Sequence, residues 1–319
     1  MFNEIPKIET KNQEPFNFEK WLELELPKQY EEKVKILNKL GLLEILPEAK
    51  DIGIVAIDGK EYPLPEIEEI QEVIRKNQEI FETKMKQGFT ELQITPFGLP
   101  LAKLINIMEK AILKHYKEGK LFTAKKNLED ENEKLEKLEL DTNQPIYIWK
   151  EGYDHADTEG KLVYYPKEFT KDNHQGQTKR EVLENSKKGF IIALNETNPN
   201  IPKEKQNETI GGRKRLEANI TPNDYLKMLQ TKEEYKNEQG QTPEEWIAKF
   251  LTVLEKHNQA IDDYQGSGKC SYQLGAYFPF SDFVPIAFWS RGARRAFLIG
   301  DEPGNQDGND GARSSARVI

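Results

Sequence analysis

The sequence predicts an α+β protein in which a helical N-terminal region, residues 1–140, precedes a mixed domain over residues 141–319. Apolar residues recur at helical intervals through most of the first region. After Gln144 the text turns to short alternating or β-branched runs bounded by glycine and proline, interrupted by two well-capped helices. Charge divides along the same lines. Residues 270–319 hold five basic and five acidic side chains, and no lysine follows Lys269, so the whole surplus behind the net charge of −9 lies in residues 1–269.

At 319 residues the chain is long enough for two domains of ordinary size. Hydrophobic residues make up 36% and charged residues 32%, which implies a heavily solvated surface. No apolar run approaches the roughly 20 residues that cross a bilayer, and Met1–Thr10 lacks the basic-then-apolar pattern of a signal peptide. The cytoplasm is the expected compartment. A net negative charge disfavours nucleic acid as partner, because that affinity rests on phosphate neutralisation. Cys270 is the one cysteine, which excludes an internal disulfide and a multi-cysteine zinc site. His115, His155, His174 and His257 are widely spaced, so no metal and no cofactor is expected.

The first helical text is Phe18–Leu43, with Trp21, Leu22, Leu24, Val34, Leu37 and Leu40 on an interrupted apolar face and Pro27 expected to break it in two. Two strand-like runs follow, Ile52–Ile57 and Glu61–Leu64, joined by Asp58-Gly59, a dipeptide suited to a tight hairpin. Further helices are predicted over Pro65–Lys86 and Leu101–Lys117, and His115 on the latter reads as structural. Leu128–Leu140 reads as a charged connector, its apolar seam being too short for a coiled coil.

In the second region the strand candidates are Pro145–Trp149, Lys161–Tyr165, Gly189–Leu194, Ser271–Phe278, Val284–Trp289, Ala296–Ile299 and Arg313–Val318. Helices open at Thr221-Pro222 and Thr242-Pro243, each with a capping hydroxyl, a proline at the first helical position and an acid at the third. The last strand reaches Ile319, an arrangement expected to tie that end into a sheet.

Common catalytic signatures are absent. Gly211-Gly212-Arg213 lacks the lysine and hydroxyl residue of a phosphate loop and reads as a polar loop. No Gly-x-Ser-x-Gly, His-Glu-x-x-His or Gly-x-Gly-x-x-Gly occurs. An enzyme would have to use something less recognisable, such as Asp262, Asp263, His257 and Tyr264 lining a cleft near the end of the second capped helix.

Residues 284–319 carry the one informative pattern: Ala287-Phe288-Trp289, then Arg294-Arg295-Ala296, a Gly/Asn/Asp-rich loop, and Gly311-Ala312-Arg313 before the closing strand. This resembles the variable region of diversity-generating-retroelement target proteins. The resemblance implies a C-type-lectin fold, shared with formylglycine-generating enzymes, for the second domain, and says nothing of the first. It further implies that varied positions hold any residue except Lys, Glu, Gln, Met or Trp, since adenines in AAC-like codons are the ones altered. Between Phe288 and Asp310 only Trp289, Glu302 and Gln306 belong to the excluded set and would be fixed. Formylglycine-generating activity needs two cysteines, and calcium-dependent sugar binding needs Glu-Pro-Asn or Gln-Pro-Asp with a downstream Trp-Asn-Asp. Here Glu302-Pro303 is followed by Gly304.

The resulting expectation is a ligand-binding protein, not an enzyme, whose variable region 288–310 recognises a macromolecule, expected to be a protein. Its ligand-binding residues are Phe288, Ser290, Arg291, Ala293, Phe297, Ile299, Asp301, Asn305, Asp307, Asn309 and Asp310. Gly292, Gly300, Gly304 and Gly308 are also permitted varied positions. Trp289, Leu298, Arg313 and Arg317 are the scaffold, with Arg313 and Arg317 able to brace carboxylates. Phe288 and Phe297 are either exposed anchors, in keeping with the role of aromatics at interface hot spots, or core residues of alternating strands. The helical region is expected to dock or to form a homo-oligomer. An intracellular assembly protein, with the tail as a folded cap, is a third alternative.

Overall fold

Asn17 opens the first helix by accepting the Lys20 amide on its side chain at 2.9 Å. The computed structural model describes residues 16–126, 130, 132–266 and 268–319. Helix α1 (Phe18–Lys20) passes through a π-helical turn, Trp21–Glu25, directly into α2 (Leu26–Lys39). Pro27 therefore does not break the stretch. It sits in the first turn of α2, and the widened turn before it, where the Leu26 amide reaches the Trp21 carbonyl, makes room for a ring that an α-helical turn would push against a carbonyl.

Strands β1 (Glu44–Ile45), β2 (Ile52–Val55) and β3 (Glu61–Pro63) form a small antiparallel sheet, with Gly59 at φ +79° in the expected turn. The helix predicted over Pro65–Lys86 is two helices, α3 (Ile67–Lys76) and α4 (Gln78–Lys86). Asn77 divides them, its side-chain amide donating to the Val73 carbonyl at 2.9 Å. Next comes β4 (Phe89–Thr95), which the pattern does not announce because its inner end is buried on both faces and so loses alternation. Helix α5 (Leu101–Lys117) follows as predicted. Leu128, Glu129 and Glu131 of the expected connector lie outside the described residues. Residues 132–140 are not helical, and Lys137 bridges to Phe122.

The next elements are β5 (Ile146–Ile148), α6 (Lys150–Tyr153), β6 (Val163–Tyr164), α7 (Lys179–Ser186) and β7 (Ile191–Glu196). Strands β8 (Thr209–Ile210) and β9 (Arg213–Lys214) make a hairpin whose turn is Gly211-Gly212, at φ +56° and +81°. The expected polar loop is thus a two-residue turn in which both residues need positive φ. Helix α8 (Pro222–Thr231), strand β10 (Gln239–Gly240) and helix α9 (Pro243–His257) follow, capped by Thr221 and Thr242 as predicted. The closing strands are β11 (Asp263–Tyr264), β12 (Cys270–Tyr272), β13 (Ala276–Tyr277), β14 (Val284–Ser290), β15 (Arg295–Asp301), β16 (Asp310–Ala312) and β17 (Ser314–Arg317).

Two larger sheets organise most of these strands, while β6 pairs with β13 apart from them. One has the order β10-β17-β7-β4, and the other β16-β12-β14-β15-β5 with β11 alongside β14. The α+β class holds. Residue 140 is not a break in packing, however: β4 pairs with β7 from Phe89 opposite Glu196 to Thr95 opposite Ile191. One apolar core joins Leu22, Phe89 and Met108 to Phe250, Trp289 and Ala316. Helix α9 runs through this core and packs on α5, β4 and β14. Strand β17 lies between β10 and β7, and the Val318 amide donates to the Ile192 carbonyl at 2.7 Å.

Buried ion pairs close the structure. Arg213, with no exposed surface, makes two bonds of 2.7 Å to Glu238 and one of 2.7 Å to Glu196. Lys179 binds Asp157 at 2.6 Å and Glu244 at 2.8 Å, which ties α7 to α9. Expressed separately, residues 1–140 and 141–319 are each expected to lack a cooperative thermal transition in calorimetry, because each bares half of one core. Cooperative melting of 141–319 alone would restore the two-unit division.

Candidate functional site

Strands β14 and β15 pair in register from Val284 opposite Asp301 to Ser290 opposite Arg295. Side chains alternate across the pleat. Trp289, Ala296 and Leu298 point into the core with no exposed surface. Phe288, Phe297, Ile299 and Asp301 lie on the other face and are half-buried. Phe288 and Phe297 stack face to face with centroids 4.9 Å apart and planes 1° from parallel. Tyr264 meets Phe288 at 5.6 Å, and Tyr147 of β5 meets Phe297 at 5.2 Å and is 40% exposed. Four aromatic rings thus cross the sheet in a row. Ile286 on the same face is covered by a second apolar cluster that includes Tyr225, Leu226 and Leu229 of α8, and Ile299 and Phe288 edge that cluster.

The remaining expected ligand-binding residues divide into tethered and free. Ser290 is buried, its hydroxyl accepting the Ala293 amide at 3.2 Å, and Ala293 is half-buried. Arg291 is held by Asp263 in two bonds of 2.8 and 2.7 Å. Asp301 accepts the Tyr272 hydroxyl at 2.7 Å and the Asn305 side chain at 2.8 Å. Asp310 accepts a longer bond from Tyr272, at 3.3 Å. Burial, with Asp307 and Asp301 nearby, pushes the Asp310 carboxyl up to about 6. Asn305, Asp307 and Asn309 are exposed on the loop between β15 and β16. That loop is pinned at its ends, the Pro303 carbonyl accepting the Asn223 amide at 3.1 Å and the Asn309 carbonyl the Cys270 amide at 2.8 Å.

Glycines mark where a side chain fits. A Cβ placed on Gly304 or Gly308 meets nothing within 4 Å. On Gly300 it meets the Cβ of Phe283 and the ring of Trp149 at 2.9 Å, so Gly300 is not the open position the sequence permits.

Asp262 and Asp263 face different surroundings. Asp262, at φ +52°, accepts Trp246 Nε1 at 2.7 Å and Arg313 Nη1 at 2.8 Å, while its carbonyl accepts the Trp289 amide at 2.8 Å. Arg313 also reaches Ser271 Oγ at 3.0 Å and the Pro199 carbonyl at 2.7 Å. Arg317 lies over the Tyr165 ring at 4.4 Å. Asp262 and Arg313 border a cleft of about 890 Å³ between α2, β4 and the end of α9. His257 lines it as well, and burial, together with Lys256, lowers its pKa. Of the four residues of the enzyme alternative, two line the cleft, whereas Asp263 binds Arg291 and Tyr264 joins the aromatic row.

Three features of these surfaces escape sequence reasoning. Tyr147 is foreshadowed only by the alternation of Ile146-Tyr147-Ile148. The Lys33–Glu91 pair, at 3.0 Å, joins segments far apart in the chain. Lys249 has a local signal, a lysine on the apolar face of α9 between Trp246 and Val253. It is 3% exposed and donates no hydrogen bond among the described residues. Burial, with Arg313 nearby, pushes its pKa down to about 8, against the pull of Glu91, Asp262 and Glu196. Compared with family models, curated proteins and solved structures, the chain finds no match.

Lys249→Met is expected to raise stability at pH 7 by on the order of 2 kcal/mol. Between about 8 and the ordinary lysine value of 10.5 the unfolded chain holds a proton that the folded chain has released. The penalty therefore shrinks as pH rises through that window, and the variant's advantage in urea unfolding should be smaller at high pH. Asp310 has the reverse sign of shift for an acid. Folded protein binds the extra proton between 3.8 and about 6, so stability falls as pH rises through that range. Asp310→Asn should remove this slope and add about 1 kcal/mol or less at pH 7 after solvent screening. An unchanged pH profile would place the titrating group elsewhere.

Proposed function

We propose that this chain is a binding protein whose residues 288–310 form a recognition surface open to diversification, carried on a C-type-lectin-like fold. The supporting observation is the separation of roles within one pair of strands. Trp289, Ala296 and Leu298 secure β14 and β15 from the core side, while Phe288 and Phe297 stand on the opposite face with Tyr264 and Tyr147. Exchange of outward side chains then leaves the core contacts in place.

The ligand is a macromolecule, most simply a protein. Rigid, half-buried rings offer large contact area at low entropic cost, and exposed residues 304–309 beside them supply adaptable polar contacts. Within the region, the open positions are Gly304, Gly308 and Asn309, the exposed Asn305 and Asp307 side chains bond Asp301 and the Asn309 amide, and Phe288 and Phe297 are the anchors. Ser290, Gly300 and Asp310 belong with the scaffold by their burial and contacts.

Variants at Gly304 and Gly308 carrying serine, aspartate or tyrosine are expected to melt within about 0.5 kcal/mol of the parent. Gly300→Ala should cost about 1–3 kcal/mol by overpacking. Equal losses at all three positions would show that the loop is structural. The surrounding DNA tests diversification itself. A near-copy of the codons for 288–313, differing almost solely at adenines and lying beside a reverse transcriptase gene, is expected, and its absence would remove that part of the reading.

A further inference from the structure

The cleft between α2, β4 and the end of α9 plays no part in the recognition surface. It has about 890 Å³, within the roughly 300–1,000 Å³ usual for small-molecule sites. Its charges are partly settled internally. Lys28 pairs with Glu25 at 3.0 Å, Lys33 with Glu91 at 3.0 Å, Lys256 with Glu32 at 2.7 Å and Arg313 with Asp262 at 2.8 Å. Lys35 and Glu31 on the walls have no ion pair among the described residues, and Lys125 has none either, its ammonium donating to the Asp130 carbonyl at 3.0 Å.

Lys249 adds a further positive charge behind the wall. It lies one helical turn before Val253 on the same face of α9, and the charges that act on it include Glu91, Asp262 and Arg313, all of which line the cleft. A largely buried ammonium with no protein acceptor among the described residues is an energetic cost that an arriving anion offsets. Among the described residues the walls carry six cationic and five carboxylate side chains, and with Lys249 behind them this is a locally basic recess on a chain whose net charge is −9. Such a recess concentrates anions.

We propose that this cleft binds a small polyanion, a molecule of metabolite size bearing two or more phosphate or carboxylate groups. Lys35 and Lys125 meet it at the walls, and Lys249 supplies attraction from beneath. Lysine ammoniums are point charges that do not distinguish phosphate from carboxylate. The one guanidinium of the wall, Arg313, is taken up by Asp262, Ser271 and the Pro199 carbonyl. Charge and size therefore define the ligand class. Neutral His257 offers a hydrogen bond without adding charge.

Calorimetric titration of the full chain with inorganic pyrophosphate and with citrate, beside neutral glucose, tests this. At least one anion should bind saturably and more weakly as salt is added, while glucose gives no heat. Lys249→Met should weaken binding at least about tenfold, and Lys35→Ser with Lys125→Ser at least about threefold. Lys86→Ser, which breaks a pair with Glu82 on α4, should leave it unchanged. Because Lys249→Met is expected to be more stable than the parent, its loss of binding is separable from unfolding by melting the same sample. No saturable heat with either anion up to about 10 mM, or an affinity that Lys249→Met leaves unaltered, would overturn the proposal.

Discussion

The carboxylate of Asp262 is the constraint on which the closing half of the molecule depends. It is 3% exposed, and a buried charge is tolerable only when matched and fully hydrogen-bonded. Trp246 brings α9 to it, Arg313, immediately before β17, binds it together with Ser271 of β12, and its own carbonyl takes the Trp289 amide of β14. A helix, two strands and the lead-in to a third therefore converge on one residue. Removing either Asp262 or Arg313 would leave the other buried without a counter-charge, so the closing strands and α9 are locked in one relative position. The Arg213–Glu238 and Lys179–Glu244 contacts do the same at other points of the core.

This rigidity is what makes two different surfaces compatible in one chain. Asp262 borders the cleft, while its neighbour Asp263 holds Arg291 at the tip of the β14–β15 hairpin. The successive carboxylates of the pair thus brace two regions at once. The aromatic row is set by the same geometry. Trp289 anchored beneath β14 fixes the register that brings Phe288 against Phe297, and the parallel pairing of β15 with β5 adds Tyr147. The stacked rings bury apolar area against one another, and the cluster of α8 covers the same face at Ile286 and meets Phe288 and Ile299, so the row stays ordered.

Much of the local structure is legible in the sequence because its causes are local. Thr242 and Glu245 satisfy one another's backbone groups within one turn, so α9 can be placed from four residues. Strand β4 is not legible. Its pairing partner β7 lies about a hundred residues on, and burial on both sides removes the alternation by which a strand is recognised. The change of text near Gln144 is real, but it marks neither the edge of a core, since β4 and β7 share a sheet across it, nor the first strands, since β1 to β4 already precede it. Pro27 shows the same limit. A proline predicts a break, and whether the preceding turn widens to hold it depends on what that turn packs against.

The sequence by itself determined the α+β class, the capped helices and the period-two pattern of 284–301, because hydrophobic periodicity and capping act over a few neighbouring residues. Tertiary structure alone decided which side of that pattern faces outward, since a strand covered on both faces or on one reads alike until its neighbours are placed. It also decided the cleft, whose walls come from α2, β4, α9 and loops far apart in the chain. No local rule brings Lys33, Glu91, Asp262 and Arg313 together. Their meeting follows from burying one continuous core and pairing the charges that the burial encloses.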